Sequence, residues 1–199
     1  MYTIKRTDHR IDSIWDANWA LAEVADVQTC PWADRKGDMQ MQARILYDDY
    51  GMYVRLETDE KMPIATQTEQ NSPVCNDSCM EFFVSPNEND ARYVNFEFNA
   101  YGTMYMAVRE SRNVYFHPVE DRRYFEVQSY VDNKRWVLQF VIPFAFTDKY
   151  FGTHTKAMRG NLYKCGEKNG QKHNATYYLV DTERPDYHLP QFFGPFVLE

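Results

Sequence analysis

The chain has 199 residues, a formal net charge of −7, a pI of about 5.3 and 16% aromatic residues. This length suits one domain with a sizeable core, so we count a single domain over residues 1–199. Nucleic acid is not an expected partner, because phosphate binding needs concentrated positive charge and the chain has no Lys/Arg run. No apolar run approaches the ~20 residues that span a bilayer. The N-terminus lacks the apolar segment of a signal peptide, which predicts a cytoplasmic protein, or an extracellular or periplasmic one if a leader was removed.

Short segments of alternating polarity, separated by turn residues, dominate the chain. They predict strands at residues 39–47, 52–58, 79–84, 93–100, 103–109, 124–131, 136–142, 158–165, 177–180 and 192–198. Residues 11–24 are predicted to be irregular or briefly helical, with Asp12 as the N-cap, and residues 144–158 to be irregular. Many short strands and little helix indicate an all-β fold, a single-domain antiparallel β-sandwich of the immunoglobulin-like or jelly-roll-like type.

Residues 76–102 form the clearest predicted hairpin. In its second arm Val94, Phe96, Phe98 and Ala100 alternate with Tyr93, Asn95, Glu97 and Asn99. Period-two alternation predicts that the apolar set faces a core and the polar set faces outward. Carboxamide, carboxylate and phenol groups on one face can hydrogen-bond a polyhydroxylated ligand, although a strand that is merely polar on its outer face is the more frequent case.

The four cysteines are too few for a disulfide-built scaffold of this length. Cys75 and Cys79 have the loose spacing of a metal pair, to which Cys165, His173 and His188 could add ligands. The spacing matches no standard zinc motif, so we expect reduced, metal-free thiols.

Catalytic residues are not assigned, and we do not expect an enzyme. Asp77, Glu81 and Glu97 could be imagined as an acid/base pair for glycoside hydrolysis, but carboxylates on a sandwich face are usually structural. No nucleophile elbow, phosphate loop or dinucleotide fingerprint occurs. No cofactor is expected, except that calcium is left open because Asp48-Asp49 and the turn at 87–90 offer oxygen ligands.

Five segments in the same order resemble the carbohydrate-binding module family 9-like domains, β-sandwiches related to the DOMON group. These are IDSIWDANW (11–19), RILYDDYGMYV (44–54), the hairpin from Asp77 to Asn99, RGNLYKCG (159–166) and PDYHLPQFFG (185–194). The last two are similar to the ending of a bacterial branch. The resemblance implies a sandwich that binds an oligosaccharide or a sugar terminus without cleaving it, as an accessory to glycan breakdown.

The resemblance also implies where the sugar would bind. Well-studied members hold a terminal sugar between two tryptophans. The first falls at about Val74, which cannot stack, and the second at about Tyr187, which can; a family glutamine falls near Tyr163. The site is therefore expected at one end or edge of the sandwich, where the loops 59–77, 166–174 and 181–190 could converge. The candidate ligand-binding residues are Tyr187, His188, Tyr163, Lys164, His173, Asn76 and Trp32.

Two alternatives stay open at this point. In the first, the sugar site has decayed and the protein is a structural or protein-interaction sandwich. A groove filled by Trp32 or by the 59–74 loop would favour this first alternative. DOMON relatives bind haem through Met and His ligands, and the chain has Met62, Met104, Met106 and His117. Methionine on an alternating strand is more often core filler.

Overall fold

The computed structural model describes residues 1–35, 37–166 and 172–199. Within them the strands are β1 (Tyr2–Arg6), β2 (Ala25–Val27), β3 (Met41–Tyr47), β4 (Gly51–Thr58), β5 (Ser78–Ser85), β6 (Tyr93–Asn99), β7 (Met104–Arg109), β8 (Tyr115–Phe116), β9 (Gln128–Val131), β10 (Trp136–Pro143), β11 (Ala157–Gly166), β12 (His173–Thr176) and β13 (Gly194–Leu198). The α-helix of this part is α1 (Phe144–Phe151), and short 3-10 turns occur at Ala17–Leu21, Ala33–Arg35, Val74–Asn76 and Pro190–Phe192. No helix here is long and apolar enough to cross a membrane.

The strands form two layers joined through β1. Sheet A has the order β8-β7-β6-β5-β11-β13-β1, with β12 also paired to β11. Sheet B has the order β1-β3-β4-β10-β9, with β2 also paired to β3. Tyr2–Ile4 runs parallel to β13, and Lys5–Arg6 runs parallel to β3. The other strand pairs are antiparallel, so the predicted β-sandwich is confirmed and its sheet is mixed only at β1, a strand that the sequence pattern did not reveal.

The core lies between the inner faces of the two sheets. Phe98 of β6 meets Phe140 of β10 with ring centroids 4.7 Å apart, and Phe96 also contacts Phe140 at 5.3 Å. The apolar set of the predicted hairpin is thus the buried set, as period-two alternation requires. Trp136, predicted to lie in the core, is fully buried.

Each sheet also has a covered outer face. Trp19, from the opening segment, packs with Leu46, Tyr53 and Val141 over sheet B. Residues from both ends of the chain cover part of sheet A: Trp32, Val180 and Phe193 pack on Phe83, Tyr93 and Tyr163. The uncovered part of sheet A, beside the Val74–Asn76 turn, is where a cavity forms.

Four local predictions are wrong. Residues 144–151 are helical because Phe144, Thr147 and Phe151 fall on one buried helical face, and Gly152 ends the helix at φ 79°. Residues 177–180 are not a strand, because the Asn161 side chain accepts from Tyr178 N at 2.8 Å and donates to Tyr178 O at 2.9 Å.

The other two errors concern segment boundaries. The N-cap of the Ala17–Leu21 turn is Asp16, whose carboxylate accepts from Asn18 N, and not Asp12. The strand predicted at 124–131 begins only at Gln128.

Candidate functional site

A cavity of about 410 Å³ opens on the outer face of sheet A. The Val74–Asn76 turn lies on one side and residues 185–188 on the other. Two of the three predicted loops, 59–77 and 181–190, therefore meet here, and Asn174 comes from the third. Residues 167–171 of that third loop lie outside the described residues. The cavity lies over the face of the sheet, whereas the sequence predicted an end or edge.

The cavity floor is polar because of strand register. Glu81 of β5 lies directly opposite both Glu97 of β6 and Tyr163 of β11, and Glu97 lies opposite Tyr105 of β7. Directly opposite residues of antiparallel strands share one face, so these side chains form a row across four strands. Burial raises the pKa of Glu81 and of Glu97 well above the usual range, and the neighbouring Glu81 raises that of Glu97 further. The neutral carboxyl form is favoured, and it can both donate and accept hydrogen bonds.

Arg109 is held rigidly in the cavity wall. Its Nε donates to Asn95 Oδ1 at 2.6 Å, and Asn95 Nδ2 donates in turn to Glu97 Oε1 at 2.9 Å. Its guanidinium also lies 4.3 Å from the ring centroid of Tyr115, a favourable cation–π distance. The Arg112–Asp186 ion pair lies at the same cavity.

Asn174 presents an unsatisfied acceptor. The residue is 5% exposed, and its Nδ2 donates to the Tyr187 hydroxyl at 2.8 Å. Its buried Oδ1 has no hydrogen-bond donor among residues 1–35, 37–166 and 172–199. A buried acceptor left unpaired costs about 1–3 kcal/mol. Since Asn174 lines the cavity, a ligand hydroxyl could donate to this oxygen.

Tyr187, the predicted stacking wall, lines the cavity but is also anchored in the scaffold. Its ring stacks on Tyr163 with centroids 4.1 Å apart and planes 10° apart. Its hydroxyl donates to Lys164 O at 3.1 Å. Tyr163 is fully buried beneath it and therefore offers no second open wall.

His188 and Asn76 also line the cavity, as the sequence predicted for both. The His188 ring stacks on Phe83 with a 5.0 Å centroid separation, and its Nδ1 hydrogen-bonds the Tyr93 hydroxyl at 3.1 Å. Burial, together with the charges of Arg109 and Arg112, lowers the pKa of His188 to about 3. The imidazole is therefore neutral at physiological pH.

Lys164 and His173, two other predicted ligand residues, lie on the opposite side of the sheet. Residues 163 and 164 alternate along β11, so Lys164 points toward the core side when Tyr163 points outward. Lys164 Nζ lies 2.8 Å from Glu60 Oε2 and donates to His173 Nε2 at 2.8 Å. The side chains of Lys164 and Glu60 are each 1% exposed, and neither Lys164 nor His173 lines the cavity on the outer face of sheet A.

Trp32 and Val74 belong to the walls rather than to the cavity surface. Trp32 is 3% exposed, and its Nε1 donates to Thr182 O at 2.9 Å. It thus fixes the cover over sheet A and does not fill the groove. Val74 is fully buried, and the side chains that follow it in the turn, Cys75 and Asn76, line the cavity.

The cavity is also lined by residues that the sequence analysis did not assign to ligand binding, namely Glu81, Glu97, Arg109, Arg112, Asn174 and Asp186. Alternation in the hairpin already placed Glu97 on the polar face. Arg112 and Asp186 come from separate loops, and no spacing in the sequence connects them.

The residues considered as haem or calcium ligands do not line the cavity. Met104 and Met106 pack in the core, whereas Met62 is 85% exposed, so these thioethers do not face a common site. Asp48 Oδ1 accepts from Tyr50 N at 2.8 Å within its own turn. Asp90 pairs with Arg92 at 2.7 Å.

Residues 12–198 match the sequence profile of carbohydrate-binding family 9. The chain belongs to carbohydrate-binding family 9. A candidate carbohydrate-binding protein from Bacteroides uniformis ATCC 8492 has a similar crystal structure, with a TM-score of 0.83 and 25% identity over 99% of this chain and 98% of that one. No curated protein is significantly similar to this family 9 domain in sequence.

Two further solved structures share the fold of this family 9 domain. Both are carbohydrate binding module family 9 structures from Caldicellulosiruptor kristjanssonii. The complex with cellotriose has a TM-score of 0.68 and 12% identity over 100% of this chain and 93% of that one. The complex with glucose has a TM-score of 0.67 and 12% identity over 99% and 94%.

Proposed function

We propose that this family 9 domain binds a sugar, or the terminal unit of an oligosaccharide, in the cavity on sheet A. The observation that carries the proposal is the buried, unpaired Oδ1 of Asn174 at a cavity that also presents Tyr187. A sugar hydroxyl would satisfy this acceptor, and an aromatic ring beside polar groups is a suitable contact for a pyranose. An accessory role in glycan breakdown is part of the same proposal.

The size and chemistry of the cavity support this proposal. Its volume of about 410 Å³ falls toward the small end of the roughly 300–1,000 Å³ range of small-molecule sites. Sugar hydroxyls both donate and accept, and the cavity offers both kinds of partner: neutral Glu81 and Glu97 carboxyls, and the carboxamides of Asn76 and Asn174.

The expected affinity is low because, of the two positions that match the family's stacking tryptophans, Tyr187 carries a ring and Val74 does not. Covering ~80 Å² of a pyranose at ~25 cal/mol/Å² contributes roughly 2 kcal/mol. Tyr163 lies beneath Tyr187 and Val74 is buried, so neither of these two provides an opposing wall. We therefore expect a Kd on the order of 0.1–1 mM.

Binding without cleavage is part of the proposal. Glycoside hydrolysis needs one carboxyl group ionised, as nucleophile or base, and one protonated. Burial raises the pKa of both Glu81 and Glu97, which disfavours the ionised form of each. We expect no release of reducing sugar from oligosaccharides by the pure protein, and turnover that disappears in Glu81→Gln would contradict this.

Calorimetric titration with glucose, cellotriose and a panel of other terminal sugars tests the proposal. We expect at least one sugar to bind, and Asn174→Ala to weaken that binding because it removes the buried acceptor. Asn89→Ala is the matched control, since Asn89 lies in an exposed turn far along the sheet. Failure of every sugar to bind at ~10 mM, ten times the weakest expected Kd, would contradict the proposal, as would equal binding by a folded Asn174→Ala variant.

A further inference from the structure

The floor of the cavity brings together two thiols and a carboxyl group. Cys79 of β5 lies directly opposite Cys165 of β11, so both sulfur atoms lie on the outer face of sheet A. Glu81, two residues after Cys79, shares that face. The ligand atoms of the three residues lie within 4.8 Å of one another. The sequence pointed to Cys75 as the partner of Cys79, whereas the fold provides Cys165.

The three groups already contact one another. The Cys165 thiol donates to Glu81 Oε1 at 3.3 Å, and it also contacts Cys75 O at 3.7 Å. All three side chains are buried, so their positions are set by neighbouring packing. A fixed and largely desolvated set of ligands needs little reorganisation to bind an ion.

The two thiols and the carboxyl group favour particular metal ions. Thiolate sulfur favours zinc and related borderline-soft ions over calcium or magnesium, and a carboxylate oxygen is a common additional zinc ligand. Burial raises the pKa of Cys79 and of Glu81, and a bound dication offsets the charge that appears when such groups lose their protons.

We propose that Cys79, Glu81 and Cys165 form a binding site for one zinc-like divalent metal ion at the floor of the cavity. Glu81 and Cys165 line the cavity, while Cys79 lies beneath them. Three protein ligands leave a fourth tetrahedral position for water or a ligand oxygen, as in open zinc sites. Asn174 and Tyr187 are not metal ligands, whereas Glu81 is shared with the proposed sugar contacts and is available to a sugar only in the metal-free protein.

Cobalt titration of the reduced, full-length protein tests the site, because Co²⁺ bound to thiolate gives a charge-transfer absorption. We expect one Co²⁺ per chain, displaced by Zn²⁺, and loss of the band in Cys165→Ser. Cys30→Ser is the matched control and should keep the band, since Cys30 is not part of the cluster and its thiol donates to Trp32 O.

Glu81→Gln is the second variant, because it keeps both thiols and the approximate side-chain shape. It should retain the thiolate band but bind Co²⁺ more weakly. Absence of a stoichiometric thiolate band in the wild type would overturn the proposal. A band that survives in a folded Cys165→Ser, unchanged affinity in Glu81→Gln, or a Cys79–Cys165 disulfide that persists while Cys30 is reduced would do the same.

Discussion

We predict that Lys164 stabilises the fold through a buried ion pair with Glu60 and does not bind sugar. Lys164 Nζ lies 2.8 Å from Glu60 Oε2, and each side chain is 1% exposed. The second carboxylate oxygen of Glu60 accepts from the Ser78 hydroxyl at 2.6 Å. The sequence predicts Lys164 as a sugar ligand, whereas the structure places it on the core side of β11.

Lys164→Met keeps an unbranched side chain but removes the cation beside a buried carboxylate. Breaking such a pair from one side costs about 3–5 kcal/mol. In a domain of this size that corresponds to a fall in Tm on the order of 10 °C. Adding Glu60→Gln removes the remaining charge, so the double variant should recover part of the loss.

Urea unfolding followed by tryptophan fluorescence measures these differences, and the two single variants and the double variant form a double-mutant cycle. The folded fraction of Lys164→Met should bind sugar as the wild type does, because the sheet separates Lys164 from the cavity. A variant with wild-type stability and no sugar binding would refute both the assigned role and the location of the site.

Three further predictions concern local features of the structure. Tyr187→Phe removes the hydroxyl that accepts from Asn174 at 2.8 Å and should lower the free energy of unfolding by about 1–3 kcal/mol; an unchanged urea midpoint would contradict this. The pKa of His188 is lowered from 6.5 to about 3, so the unfolded chain binds a proton that the folded one does not. Relative to His188→Phe, the wild type should lose about 2 kcal/mol of stability from pH 7 to pH 5, and the same pH slope in that variant would disprove the assignment. A Cβ on Gly51 would lie 2.4 Å from the backbone oxygen of Ile142, so Gly51→Ala should cost about 1–3 kcal/mol, and calorimetry showing an unchanged Tm would refute this crowding.

Strand faces were predictable from the sequence because alternation depends only on local geometry. Phe96 and Phe98 face the core and Glu97 faces outward, as the pattern predicts. The same rule states that Tyr163 and Lys164 lie on opposite faces, so both could not line one cavity. Register against β5 was needed to decide which of them faces outward.

Features that depend on remote pairing could not be predicted. β1 is short, and its parallel pairing with both β3 and β13 involves segments far away in sequence. The contact of Cys79 with Cys165 likewise follows from the β5–β11 register and not from cysteine spacing. The unsatisfied acceptor of Asn174 lies at the cavity because β12 pairs with the second half of β11. This pairing places the Asn174 amide beside Tyr187.

The central claim is that sugar binds in the cavity on the outer face of sheet A. The most direct test is a map of backbone amide NMR shifts during titration with the tightest-binding sugar. We predict that the largest shifts occur at Asn76, Asn174 and His188. Shifts concentrated instead around Trp15 and Arg135, which line a shallow depression on sheet B, or no shifts at saturating sugar, would contradict the claim.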